Sequence, residues 1–233
     1  MRAAVFDVDR TLLDGMSGFL FARHLWRTGA LPWRGRWRSA KAMVLYRLGL
    51  AGPEIIIAAG ATCCAGLTAA RTEELADAAV AATMRGRFYR EALAAVAAHR
   101  ERGDRVLLAS GSNVFVARAI ARAAGAEDAV GTDCLRSDGR LLATMAGPAC
   151  YAEGKRELVS RWLAERGLTP AETIVYTDNG IDRPLLEVAG EVVAVNPDAD
   201  LARLAAARGW RTERWETPVD PRYRRTGTSW PLR

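Results

Sequence analysis

Four short apolar runs punctuate the chain, and each ends in small polar or acidic residues. The first is Ala3–Phe6 within "MRAAVFDVDRTLLDG". The others are "RVLLASGS" (Arg105–Ser112), "ETIVYTDNGID" (Glu172–Asp182) and "EVVAVNPD" (Glu191–Asp198), the last stopped by Pro197. Runs so uniformly apolar predict strands covered on both faces rather than half-exposed ones. Between them lie Ala-rich amphipathic segments, "REALAAVAAHRERG", "NVFVARAIARAAG", "GKRELVSRWLAERG" and "DLARLAAARG", each with a Gly near its end as a helix C-cap. Strands alternating with helices predict an α/β fold with a doubly wound parallel sheet. In such a sheet ligands bind at the carboxyl ends of the strands, where Asp7, Ser110 and Asp178 fall.

One interval breaks the rhythm. Nearly a hundred residues separate Asp7 from Arg105, whereas a crossover between parallel strands needs only a few dozen. The residues from 15 to 85 are helical in pattern, with breaks at "TGALPWRG", "GLAGP" and "AGLT". They predict a helical cap inserted after the first strand. The expected organisation is a core of residues 1–14 and 86–214, a cap of 15–85, and an extended C-terminal arm of 215–233 carrying Pro218, Pro221 and Pro231.

With 233 residues and half of them apolar, the chain can bury a sizeable core. No secretory signal is visible, since "MRAAVFDVDR" turns acidic where an apolar stretch is required. The longest uncharged apolar stretch, Ile55–Ala70, is shorter than the roughly 20 residues that span a bilayer, and predicts a buried helix. Cys63, Cys64, Cys134 and Cys150 form no CxxC pair and no zinc spacing with the two histidines, His24 and His99. A reduced, cytoplasmic protein is expected. His99 falls in the last turn of a helix, where the dipole favours a cation.

Two aspartates one residue apart, Asp7 and Asp9, end the first strand. Two such charges repel, and a bound cation would make the pair tolerable. "DVDRT", "LLASGS", "GKRELV" and "YTDNGID" together resemble, in order, the four motifs of the haloacid dehalogenase-like phosphohydrolases. The long insert after the first motif resembles the subgroup that includes phosphoserine phosphatase (subfamily IB). The resemblance covers about residues 1 to 210 outside the cap. It implies a Rossmann-like core and a Mg²⁺-dependent phosphomonoester hydrolase. Asp7 and Asp178 would ligate Mg²⁺ through side chains and Asp9 through its backbone carbonyl. Asp7 would be the nucleophile, forming an aspartyl phosphate, and Asp9 the general acid and base. Ser110 and the N–H groups of Gly111 and Val8 would hold phosphoryl oxygens, and Lys155 would neutralise the charge shared by Asp7 and phosphate. Asp182 would orient the metal shell or Lys155, and Asn179 would stand beside the metal. Arg10 departs from the Gly often seen in the first motif.

The chemistry fits independently of the family. A phosphate monoester repels a nucleophile, so positive charge has to be gathered around it first. Carboxylates at adjacent strand ends suit a hard, oxygen-liking cation. Taken singly, Ser110 could cap the next helix, a role that Ser112 and Asn113 could also fill.

The formal charge is +6, with Arg34, Arg36, Arg38 and Lys41 clustered beside Trp33 and Trp37, and a second basic group in "PRYRRTG". Such a balance suits anionic partners: a phosphorylated small molecule, or an acidic membrane surface. No nucleic-acid motif is present and no nucleic-acid partner is expected. The phosphoserine-cleaving relatives keep a carboxylate in the cap shortly after the first motif, yet no acid occurs between Gly15 and Arg27. Free phosphoserine is therefore disfavoured. The alternatives are a lipid headgroup phosphate as substrate, or a non-catalytic binding protein on the same fold. Whether Trp33–Lys41 faces the active site or solvent is open at this level.

Overall fold

The first buried run forms β1 (Ala3–Asp7), at the centre of a six-stranded sheet in a computed structural model that describes residues 2–52 and 54–223. Its partners are β2 (Arg105–Asn113) on one side and β6 (Thr173–Thr177) on the other. β3 (Asp128–Thr132) lies beyond β2, and β7 (Glu191–Val195) and β8 (Arg211–Glu213) lie beyond β6. The order β3-β2-β1-β6-β7-β8 is parallel throughout. The chain reverses its direction of winding between β2 and β6, which places a crevice at the carboxyl end of β1.

Helices cover both faces. One layer holds α5 (Arg90–Glu101) and α6 (Val114–Ala124), and the other α7 (Glu153–Ala164), α8 (Arg183–Leu186) and α9 (Ala199–Arg208). The two apolar clusters follow the pleat of β1: Ala4 and Phe6 join one, Ala3 and Val5 the other.

Between β1 and α5 lie α1 (Ser17–Arg27), α2 (Trp33–Arg47), α3 (Glu54–Thr62) and α4 (Ala69–Ala79). A π-helical turn, Val80–Met84, and one 3-10 turn, Arg85–Arg87, complete the return to α5. The single buried helix expected over Ile55–Ala70 is instead broken. α3 stops at Thr62, the chain turns, and Thr68 caps α4 by accepting from the Arg71 N–H. Among the described residues no helix is long and apolar enough to cross a membrane.

Three further departures from the sequence-based expectations stand out. β3 and β8 were not anticipated, nor was the hairpin of β4 (Cys134–Ser137) and β5 (Arg140–Met145). The run from Glu172 to Asp182 is a strand only to Thr177, after which Gly180–Asp182 forms a 3-10 turn. His99 lies in the last turn of α5, as the sequence suggests, yet not at its solvated surface. It is buried, with Nδ1 beside Asp104 Oδ2 (2.8 Å) and Nε2 beside the Tyr176 hydroxyl (2.9 Å), and burial pulls its pKa below the usual imidazole value.

Of the expected C-terminal arm, residues 215–223 run along the core, and 224–233 lie outside the described residues. Trp215 is buried and stacks on Tyr176, which in turn stacks on Phe6 of β1. The Val219 and Arg90 N–H groups donate to the carbonyls of Phe88 and Thr217.

Candidate active site

Register brings the polar strand ends together. Asp7 stands opposite Ala109, one residue before Ser110. Phe6 stands opposite Tyr176, so Asp7 and Asp178 emerge from neighbouring strands at nearly the same level. α7 delivers Lys155 from the next crossover. Its start is pressed against the preceding loop, where a Cβ on Gly154 would meet the Ala149 carbonyl oxygen at 2.1 Å. Only glycine permits that approach.

Lys155 Nζ donates to Asp7 Oδ1 at 2.7 Å and to Asp182 Oδ2 at 2.6 Å. The Thr177 hydroxyl donates to the same Asp182 oxygen at 2.7 Å. Asp182 therefore orients Lys155, one of the two roles the sequence left open for it. Burial works against the ammonium, but Asp182 and Asp7 outweigh it and hold Lys155 firmly protonated.

The carboxylates are short of positive charge. Burial, with the nearby Asp182 and Asp9 charges, raises Asp7 to about 7 despite Lys155. Burial and then Asp7 push Asp178 well above the usual carboxylate range. Asp9 is raised by burial as well, against the opposing hydrogen bonds from Ser17. Four carboxyls thus face one buried ammonium, with Arg10 as a partial counter-charge acting on Asp9 and Asp178. A divalent cation would complete this balance, and an all-oxygen donor set suits Mg²⁺. Among the described residues no three His, Cys, Asp or Glu side chains are gathered as a ready metal cluster.

Arg10 sits at φ 63°, in the left-handed region. Glycine takes that conformation without steric cost, which is a physical reason for a glycine to be common there.

Ser110 is buried, and its Oγ accepts from the Ser112 N–H at 3.1 Å. It does not cap the following helix. Asn113 does, accepting from the Phe115 N–H at 2.9 Å. Gly111 continues the same turn, with its carbonyl accepting from the Thr132 hydroxyl. The Asn179 Oδ1 accepts from the Ile181 N–H at 2.9 Å, so this residue caps the 3-10 turn that sets Asp182.

Three contributions escaped the sequence analysis, which noted Arg10 only as a departure from the first motif. Ser17, the first residue of α1, donates its N–H to Asp9 Oδ1 at 2.6 Å, and its Oγ lies 2.5 Å from Ser112 Oγ. Thr177 fixes Asp182, and Arg10 supplies charge. A Thr directly before the "DNGID" acids was the one local signal for Thr177. Nothing local marked Ser17.

The comparisons with known proteins bear on the family. Residues 4–187 match the haloacid dehalogenase-like hydrolase family. A probable phosphatase of Mycobacterium tuberculosis is 29% identical over 225 residues, covering 95% of this chain and 78% of its own length. A histidinol-phosphatase of Neisseria meningitidis is 38% identical over 119 residues, which is 49% of this chain and 54% of that protein. Among solved structures, a protein of unknown function from Bordetella pertussis superposes with a TM-score of 0.80 at 31% identity, covering 91% of this chain and 98% of that one. A substrate-bound phosphoserine phosphatase superposes with a TM-score of 0.58 at 17% identity, covering 87% and 89%, a likeness of fold alone. With well over half of its length matched, the chain belongs to the haloacid dehalogenase-like hydrolase family and is a phosphatase within it.

Proposed function

We propose that the protein hydrolyses a small organic phosphate monoester, other than free phosphoserine, through an aspartyl phosphate on Asp7. The observation that carries this is the Lys155 ammonium held between Asp7 and Asp182 at the carboxyl ends of β1 and β6. It anchors an anionic nucleophile and leaves positive charge where a phosphoryl group would arrive. In the first step an Asp7 oxygen bonds to phosphorus and the bond from phosphorus to the leaving oxygen breaks. Asp9, whose pKa burial raises, gives its proton to that oxygen. In the second step water attacks the phosphorus, Asp9 takes the proton, and the bond to Asp7 breaks to release inorganic phosphate.

Ser110 and the N–H groups of Gly111 and Val8 would receive the phosphoryl oxygens. Mg²⁺, held by Asp7, Asp178 and the Asp9 carbonyl, would neutralise phosphoryl charge. Residues 1–14 and 86–214 would form the catalytic core and 15–85 the cap over it. The first turn of α1, which enters the site through Ser17, carries no acid to receive a substrate ammonium. This supports a substrate other than phosphoserine.

The test is phosphate release from a panel of phosphorylated metabolites, with Mg²⁺ and with chelator. Release that requires Mg²⁺ and disappears in Asp7→Asn is expected. Turnover by Asp7→Asn near the parent rate would overturn the covalent route.

A further inference from the structure

The surface around α1 and α2 differs from the rest of the molecule. From Gly15 to Pro53 the chain has seven arginines and lysines and no aspartate or glutamate. Nine of the fourteen exposed large apolar side chains among the described residues also fall between 16 and 50. Trp33 and Trp37 are 67% and 69% exposed, and Val44 is exposed as well.

Their spacing puts them on one face. At about 100° per residue, Trp33, Trp37, Ala40 and Val44 form one stripe along α2, with Arg34 and Lys41 along one flank and Arg36 along the other. The opposite face is small. Gly35 and Ala42 are buried, and a Cβ on Gly35 would lie 2.3 Å from the Cys63 carbonyl oxygen. Arg38 reaches across to donate to the Thr62 carbonyl at 2.9 Å. α3 is in turn tied to the core by the Asn113 side-chain amide, which donates to the Ala61 carbonyl at 2.5 Å. The helix is thus pinned by its smallest residues and turns its largest apolar ones outward, the reverse of a helix built to face water. Of the segment Trp33–Lys41, it is Trp33, Arg34, Trp37, Ala40 and Lys41 that face solvent.

We propose that this face of α2 docks on an acidic membrane surface. The Trp stripe would sit at the boundary between headgroups and acyl chains, and the flanking cations would meet anionic headgroups. Charge complementarity favours this occupant. No acid in the segment repels the surface, whereas a two-fold contact with a second copy would set these cations against themselves. A soluble polyanion would satisfy the cations and leave the tryptophans in water. The inference does not depend on which phosphate ester is cleaved.

Co-sedimentation of the whole protein with phosphatidylcholine vesicles, with and without about one-third phosphatidylglycerol, tests it. Binding only to the anionic vesicles is expected, with a blue shift of tryptophan emission and weakening in salt. Trp33→Ala with Trp37→Ala should lower the partition coefficient at least tenfold and remove the blue shift. Arg34→Gln and Lys41→Gln should each lower it roughly fivefold. All variants should melt at the parent temperature, because every altered side chain is exposed. The proposal is overturned by no binding to anionic vesicles at low salt. It is equally overturned if the tryptophan pair can be removed without loss, or if its removal dissolves a dimer or weakens heparin binding just as much.

Discussion

Lys155 Nζ lies 2.7 Å from Asp7 Oδ1, an ion pair joining α7 to the first strand across 148 residues of chain. Both side chains are nearly out of water, 6% and 12% exposed. A buried pair of this kind is weak evidence of net stability, but breaking it is costly because a charge is left unmatched.

Lys155→Met should therefore lower stability by about 3–5 kcal/mol near neutral pH. The loss should shrink in acid, where Asp7 and Asp182 can take up protons. Thermal unfolding at pH 5 and pH 8 checks this, and an equal loss at both would contradict the ion-pair account.

The metal-free protein should respond to pH in a defined sense. Asp7 is raised to about 7 and Asp178 is raised in the same direction, from an unfolded value near 4. Their contribution to stability is therefore complete below about pH 4 and is lost as pH rises towards 7. Mg²⁺ requires the ionised forms, so its stabilising effect should grow over the same interval. The rise in Tm on adding Mg²⁺ should be clearly larger at pH 7.5 than at pH 5. An equal rise would place the metal elsewhere.

Asp9→Asn should slow phosphate release most for esters with poor leaving groups, which need a proton from this position. Aryl phosphates with acidic leaving groups should lose least. Uniform loss across a leaving-group series would remove Asp9 from the acid role.

Ser17 permits a finer test of the same group. It is the first helical residue of α1, and Met16 before it is extended at φ −111° and ψ 107°. Proline is accepted at both counts. Ser17→Pro should keep the fold while removing the N–H that Asp9 accepts. That hydrogen bond lowers the Asp9 pKa, so its loss should move the alkaline limb of the rate profile to higher pH. Ser17→Ala, which keeps the N–H but loses the hydroxyl that also lowers the Asp9 pKa, should move the limb the same way and less far than Ser17→Pro, which loses both.

The legible parts of the fold were those with a local physical signature. Ala3–Phe6 and Thr173–Thr177 are covered on both faces, so their apolar runs betray them. β8 is an edge strand of Arg211, Thr212 and Glu213, whose composition looks like any polar loop. β3 contains an Asp and a Gly within five residues and is held by its partner rather than by its own propensity. The β4–β5 hairpin did carry a signal, Asp138-Gly139 with both residues at positive φ, the turn chemistry of a tight hairpin. In the site, strand ends announced Asp7, Ser110 and Asp178. Ser17 meets Asp9 only because a helix packs back across the crevice, and no window of sequence contains that approach.

The stack Phe6–Tyr176–Trp215 has a practical consequence for dissecting this chain. The family match ends at residue 187, before β7, β8 and Trp215. A fragment cut there would strip β6 of its outer neighbour and leave a long apolar edge open to pairing with other chains. It would also remove the indole that covers Tyr176, behind the strand leading to Asp178. The smallest piece able to hold the aspartates in place therefore runs to about Asp220, whose N–H bonds back to the Gly86 carbonyl just after that of Val219 bonds to Phe88, and not to the end of its recognisable motifs.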